Sequence, residues 1–281
     1  MNKNNKEIFP ALYIVPTPIG NLNDITYRAI SVLKKVNTIA AENIFHTNNL
    51  LNFYFIKNKL TSFNKINEKN KSEILIKKLI QGYSIALVSN AGTPTINDPG
   101  YLLVSKCIEQ NIKIIPLPGP CAFITALSAS GISSDKFCYE GFLPKKKSKR
   151  NNFLISLSNE SRTIILYESS NRLLSSLKAI SLIFGKKRKI VIAKELTKIW
   201  EYFYRNTLEK ILLFIKNKDI VLKGEWVLII QGNEKKFISI PIEAINLFYI
   251  LIKITSKKKA LLIISKTFKI KKNFLYNYFI N

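Results

Sequence analysis

The chain is poor in histidine, cysteine and acid. His46 is its one histidine in 281 residues, which excludes a histidine-rich metal site and leaves a Ser-His-Asp hydrolase a single possible base. Cys107, Cys121 and Cys138 form no CxxC pair and follow no zinc-ligand spacing, so they read as small buried hydrophobes, and no metal is expected. No unbroken apolar stretch reaches the ~18 residues that a membrane-crossing helix needs. The opening Met1–Glu7 is polar and lacks the apolar centre of an export signal, so a cytoplasmic address and no membrane partner are expected. Acid is outnumbered, with 18 Asp and Glu against 44 Lys and Arg. Arginine is also scarce, being confined to Arg28, Arg150, Arg162, Arg172, Arg188 and Arg205.

What is present suits a folded α/β protein. At roughly 150 residues per domain the length suggests about two domains, and a 47% hydrophobic fraction with a mean hydropathy of +0.07 is enough for real cores. A formal charge of +26 favours a polyanionic partner, because Lys and Arg gain affinity for phosphates by releasing counterions. The accompanying excess of Lys, Ile and Asn is also what an AT-rich base composition produces. Charge alone therefore leaves nucleic-acid binding open.

Short β-branched runs alternate with segments of helical period, the pattern of βα units with a mainly parallel sheet. Strands are expected at 11–15, 38–41, 59–62, 84–89 and 113–117, with helices near 69–80 and 101–110 and a helix opened by Asp24 as N-cap. This forms a lobe over 1–117. A second lobe, 118–232, is expected to carry a helix at 121–129, strands at 137–141, 163–167, 190–194 and 226–231, and helices at 170–184 and 208–216. Residues 233–281 change character, with ten Lys against two Glu, and read as a small basic helical extension. No internal repeat is visible.

Ligands of parallel α/β sheets sit at the carboxyl ends of strands, where loops feed helix N-termini. Three Gly/Pro-rich loops occupy such places. Pro16–Asp24 is either a tight strand-to-helix turn or a loop in which Gly20 admits a ligand close to backbone. Ser89–Gly100 is twelve residues of small side chains after a strand, longer than a connector needs, which favours a binding loop over a structural one. Pro116–Ala122 is a cleft wall, an inter-lobe hinge, or both.

Read together, these loops resemble the tetrapyrrole methylase superfamily, most closely its ribosomal RNA 2′-O-methyltransferase branch. The resemblance is carried by Thr17-Pro18-Ile19-Gly20-Asn21-Leu22, Ala91-Gly92-Thr93-Pro94 with Asp98-Pro99-Gly100, Pro116-Leu117-Pro118-Gly119-Pro120, Glu140-Gly141-Phe142-Leu143-Pro144, Tyr167-Glu168-Ser169 and Glu195-Leu196-Thr197-Lys198. It extends from about residue 11 to 232, and the basic tail looks like that branch's short helical extension. It implies two α/β lobes with S-adenosylmethionine in the cleft between them, a homodimer, and methylation of the ribose 2′-oxygen of a cytidine in the decoding region of small-subunit ribosomal RNA. By the same resemblance Ile19, Gly20, Asn90, Gly92, Thr93, Cys121, Ala122, Tyr167 and Glu168 approach the cofactor. The chain departs from the family pattern at Asn43, Phe45, Asn90 and Asn171; an Asn in place of Asp keeps an acceptor but loses the charge.

Methyl transfer to a hydroxyl requires alignment and a base or a stabilising charge. Glu42, His46, Glu195 and Lys198 are the candidates. His46 reads more readily as a structural or substrate contact on a loop than as a base, and Glu195 with Lys198 reads equally as a surface ion pair. Lys145, Lys146, Lys147, Lys149 and Arg150 place five cations in six residues, either an RNA phosphate track or a solvated charge run. Phe274, Tyr276, Tyr278 and Phe279 in the tail offer base stacking or packing of a small module. Two other functions stay open: a methyltransferase for a tetrapyrrole ring carbon, and a non-catalytic RNA-binding assembly factor with a decayed site.

Overall fold

The computed structural model describes residues 8–233, 240–268 and 270–279. The polar opening Met1–Glu7 lies outside them. By its contacts the chain divides into two units, Met1–Gly232 and Asn233–Asn281.

The first unit contains two sheets. The first sheet holds β1 (Leu12–Ile14), β2 (Thr38–Ala41), β3 (Leu60–Ser62), β4 (Ile85–Val88) and β5 (Ile114–Pro116), connected by α1 (Tyr27–Lys35), α2 (Ile44–Phe53), α3 (Glu68–Ile80) and α4 (Tyr101–Glu109). All its pairings are parallel and the order is β3-β2-β4-β1-β5. The strands bury both faces: Leu12, Ile14, Ile85 and Leu87 pack with α3 and α4, while Tyr13, Val15, Ile39 and Ala86 pack with α1 and α2. This double burial explains why they read as continuous apolar runs rather than as alternation.

After α5 (Ala122–Ser128), the second sheet is formed by β6 (Phe137–Phe142), β7 (Thr163–Ser169), β8 (Lys189–Lys194), β9 (Tyr202–Thr207) and β10 (Glu225–Ile230), with α6 (Lys147–Leu157), α7 (Ser170–Phe184) and α8 (Leu208–Lys216). Its order is β6-β7-β10-β8-β9. Only β6–β7 is parallel; β7–β10, β10–β8 and β8–β9 are antiparallel. The expectation of a mainly parallel sheet therefore holds in the first sheet and not in the second, because β8 to β9 returns through a short connection that permits only an antiparallel neighbour. Ile164, Leu166, Ile192 and Leu228 meet Leu173, Leu177 and Ile180 of α7 on one face. Ile165, Val191, Val227 and Ile229 meet Ala126 and Leu127 of α5 on the other.

Other local expectations need correcting. Asp24 ends a short 3-10 turn (Leu22–Asp24), and it is the Thr26 hydroxyl that accepts from the Ala29 amide to cap α1. His46 lies within α2 rather than on a loop, because Asn43 caps that helix by accepting from the His46 amide. Arginines mostly serve internal geometry: Arg205 donates to the Ala129 and Ser130 carbonyls, Arg188 to the Gln231 carbonyl, and Arg162 pairs with Glu160.

The second unit comprises α9 (Ile242–Leu251), α10 (Lys257–Thr267) and α11 (Lys272–Phe279) around Ala244, Phe248, Leu261, Ile264 and Leu275. Phe279 stacks on Phe248, so that aromatic is packing, whereas Phe274, Tyr276 and Tyr278 are exposed. Among the described residues, no helix is long and apolar enough to cross a membrane.

β10 is the central strand of its sheet and Leu228 is fully buried. Leu228→Ala is expected to cost about 2–5 kcal/mol through reduced burial and a residual cavity, read as a lowered urea midpoint.

Candidate functional site

The three Gly/Pro-rich loops are tied to one another. The Thr17 amide donates to the Gly92 carbonyl (3.0 Å) and the Gly92 amide donates back to the Thr17 carbonyl (2.9 Å), making an isolated antiparallel bridge. The Thr17 hydroxyl donates to the Ser89 carbonyl, and the Thr93 hydroxyl to the Pro120 carbonyl at 3.0 Å. Gly92 has φ +79, and a Cβ there would press on Ile19 at 3.3 Å; the position requires glycine for conformation and for room. These loops leave β1, β4 and β5 at their carboxyl ends, where the strand order reverses direction, the usual ligand crevice of such sheets.

A cavity of about 460 Å³ opens there. One wall comes from the first sheet: Ile19, Glu42 at the end of β2, and Asn90–Thr93 with Asp98. The other comes from the second: Cys121 and Ala122 at the start of α5, Tyr167 and Glu168 on β7, and Leu196 and Gly224–Val227. Aromatic rings stiffen this second wall. Tyr139 stacks on Phe123 with centroids 4.4 Å apart, and Tyr167 meets Tyr139 and Phe142 edge-on. The Tyr167 hydroxyl accepts from the Phe123 amide, and burial first of all pushes its pKa up to about 12, so it stays protonated.

Glu168 is a buried acid whose partners are internal. Arg172, one helical turn on, meets its carboxylate at 2.6 Å, and the Ser169 amide and Ser176 hydroxyl donate to it. Arg172 also donates to the Leu143 carbonyl, tying β7 to the segment after β6. Asn171 faces solvent, away from this network.

Of the residues expected to approach a cofactor, Ile19, Asn90, Gly92, Thr93, Cys121, Ala122, Tyr167 and Glu168 line the cavity. Gly20 does not. A Cβ on it would fall within 2.8 Å of Leu196, Thr197 and Lys198, and the Asn21 amide donates to the Thr197 hydroxyl. Its small size lets the first lobe's loop dock on the second lobe.

The four expected catalytic candidates separate. Glu42 lines the cavity and accepts from the Asn90 amide at 3.1 Å. His46 is exposed on α2 outside the lining, beside the exposed Phe45. Glu195 and Lys198 also lie outside it. They form an ion pair at 3.0 Å, Lys198 reaches Glu225 as well, and the Glu225 amide donates to Glu195. Although burial opposes it, that amide and Lys198 hold the Glu195 carboxyl below its ordinary range, as suits a fixed strut rather than a base.

In the basic segment, Lys145, Lys146, Lys147 and Lys149 are exposed, but Arg150 is buried. The segment runs into α6, and helical spacing turns Arg150 to the same inward side as the fully buried Leu154, where it reaches Ser175. It is withdrawn from the expected phosphate track.

Asp98 was not among the candidates, although its loop was. It lines the cavity half-buried. Burial first, and the Glu42 carboxylate second, push its pKa up to about 6, against a hydrogen bond with Ser89 and the charge of Lys65. The available sequence signal was an acid amid otherwise small, uncharged residues in a long loop. Asn90 Oδ1 is buried with no hydrogen-bond partner, a vacant acceptor in the cavity wall. No group of three or more metal-ligating side chains occurs among the described residues.

A parallel sheet whose strand ends face a second, mixed sheet across a small-molecule cleft defines a two-lobed α/β ligand-binding class. Comparison with known proteins narrows it. Residues 11–212 match the family described as Tetrapyrrole (Corrin/Porphyrin) Methylases. Ribosomal RNA small subunit methyltransferase I of Buchnera aphidicola subsp. Schizaphis graminum is 57% identical over 99% of this chain and 98% of that protein. The protein of the same name from Escherichia coli O157:H7 is 48% identical over 95% and 93%. Among solved structures, uroporphyrin-III C-methyl transferase from Thermus thermophilus complexed with S-adenyl homocysteine superposes with TM-score 0.56 at 11% identity, over 79% of this chain and 97% of that one. Diphthine synthase does so with TM-score 0.59 at 12% identity, over 79% and 89%. The chain belongs to the tetrapyrrole methylase family, within the group of ribosomal RNA small subunit methyltransferase I proteins.

Arg172→Met leaves the Glu168 carboxylate buried and uncompensated, and is expected to cost about 3–5 kcal/mol in urea unfolding followed by tryptophan fluorescence. The double variant Glu168→Gln, Arg172→Met should recover most of that stability.

Proposed function

We propose that the protein uses S-adenosylmethionine to methylate small-subunit ribosomal RNA in the cytoplasm, and that the acceptor is the ribose 2′-oxygen of a cytidine in the decoding region. The observation that carries this reading is the near-full-length identity to proteins named for that substrate, joined to a cleft of matching chemistry.

The cavity fits the cofactor on its own terms. Asn90 Oδ1 is an unused acceptor, Gly92 admits a flat group against backbone, and Glu42 and Asp98 supply negative charge for a cationic ligand. Ile19, Thr93, Cys121 and Ala122 would complete its hold. When bound, the cofactor supplies a methyl group activated by a sulfonium. The protein's own tasks are to align acceptor and methyl and to exclude water, for which the Thr17–Gly92 bridge and the Tyr139–Tyr167 wall provide rigid surfaces.

For RNA, exposed Lys145, Lys146, Lys147 and Lys149 leave β6 beside Phe142, which lines the cavity. A small macrocycle has no use for such a cationic stretch, which speaks for RNA over a tetrapyrrole substrate.

Labelled S-adenosylmethionine, purified protein and small ribosomal subunits lacking the modification should give label at a single ribose in the decoding region, located by primer extension. Label on a base, or none on either subunits or free RNA, overturns the assignment. Replacing the four lysines by glutamine should weaken RNA binding and flatten the slope of log K against log salt by roughly 3, about 0.7–0.9 for each phosphate left without its cation.

A further inference from the structure

We propose that Asp98 is the proton acceptor for the attacking hydroxyl and that Glu42, on the same wall of the cavity, tunes it. The inference rests on the methyl-transfer reading above and names the residue that serves it.

The geometry first removes the other candidates. Glu195 is committed to Lys198 and the Glu225 amide, Glu225 lines the cavity but its carboxylate is paired with Lys198 at 2.9 Å, His46 lies outside the cavity, and Glu168 is held by Arg172, Ser169 and Ser176. Glu42 lines the cavity but has one oxygen on the Asn90 amide. Asp98 also lines it, and among the described residues it forms no ion pair.

The backbone around Asp98 is held in costly conformations. Thr95 and Asn97 have φ of 74 and 66, and Gly100 has φ 137, where a Cβ would meet Leu87 at 2.7 Å. Glu68 accepts from the Gly100 and Leu102 amides, and the Asn97 amide group donates to the Tyr139 hydroxyl. Strain of this kind persists only where surrounding contacts over-determine it, and it concentrates at working sites.

The groups that bear electrostatically on Asp98 are Glu42 from β2, Lys65 after β3, Ser89 after β4, and Tyr139 and Tyr167 on the second sheet. Burial and Glu42 both favour its neutral form, raising its proton affinity to about 6, so at neutral pH the carboxylate is present and ready to take a proton. In the step, the hydroxyl oxygen forms a bond to the methyl carbon and the donor's carbon–sulfur bond breaks. The sulfur keeps the bonding pair as a neutral thioether, and the hydroxyl proton passes to Asp98.

The test compares wild type, Asp98→Asn and Glu42→Gln in three measurements: cofactor binding by calorimetry without RNA, carboxyl titration by ¹³C NMR, and single-turnover methylation of small subunits across pH. Wild-type rate should rise through a midpoint near 6 that coincides with the Asp98 carboxyl titration. Asp98→Asn should lower the rate about 10²–10⁴-fold at saturating cofactor, beyond the loss of cofactor affinity that calorimetry reads for the missing charge. Glu42→Gln, which keeps an acceptor for the Asn90 amide, should move both midpoints to lower pH by removing the neighbouring negative charge. An Asp98→Asn variant that methylates at near wild-type rate, or a Glu42→Gln that abolishes the rate with no change in the Asp98 titration, overturns the proposal. Wild type that binds cofactor but labels no RNA overturns the methyl-transfer reading and this inference with it.

Discussion

Two backbone hydrogen bonds between Thr17 and Gly92 hold the working face of this protein together. They join loops from β1 and β4, neighbours in the sheet whose outgoing connections run to different sides, and so convert two separate turns into one surface. The other contacts of the cleft build on that bridge: Ile19 against Gly92, Thr93 on the Pro120 carbonyl, and Pro16 so close to Gly119 that a Cβ there would sit at 2.6 Å. Gly20 and Asn21 then carry the joined loops onto Leu196–Lys198 of the second lobe. Small residues are required at each step because a Cβ would press on a neighbouring side chain, a carbonyl or the Pro16 ring.

The chemistry of the cleft is divided by environment rather than by residue type. Five acids lie in or beside it and differ in what surrounds them, Glu225 being paired with Lys198 at the rim. Glu168 is neutralised by Arg172 in the core, and Glu195 is fixed by Lys198 and an amide. Glu42 anchors Asn90, and Asp98 is left under burial and like charge. The same functional group thus supplies a structural joint, a strut, a positioning contact and a titrating site.

Much of this was legible in the sequence. The parallel strands were, because burial on both faces gives unbroken β-branched runs, and so were the ligand loops, because their glycines and prolines interrupt that pattern. β9 was not, since Tyr202–Thr207 mixes aromatic and polar residues at a sheet edge and has no apolar run. Strand direction in the second sheet depends on neighbours distant in sequence, which periodicity does not encode. α2 was hidden by a weakly amphipathic, asparagine-rich sequence. The standing of Asp98 depends on Glu42, brought to it only by the pairing of β2 with β4.

The basic residues carry a last consequence. Arg150, Arg162, Arg172, Arg188 and Arg205 each place a planar fork on a carbonyl, carboxylate or hydroxyl of the protein itself, while the outward cations of the basic segment are all lysine. A solvated cation asks only for charge, which lysine supplies, whereas a bidentate or buried contact asks for guanidinium shape. In a chain this rich in lysine, these five arginines therefore chart fixed internal geometry, and an exchange of Arg for Lys at those positions alters architecture rather than surface potential.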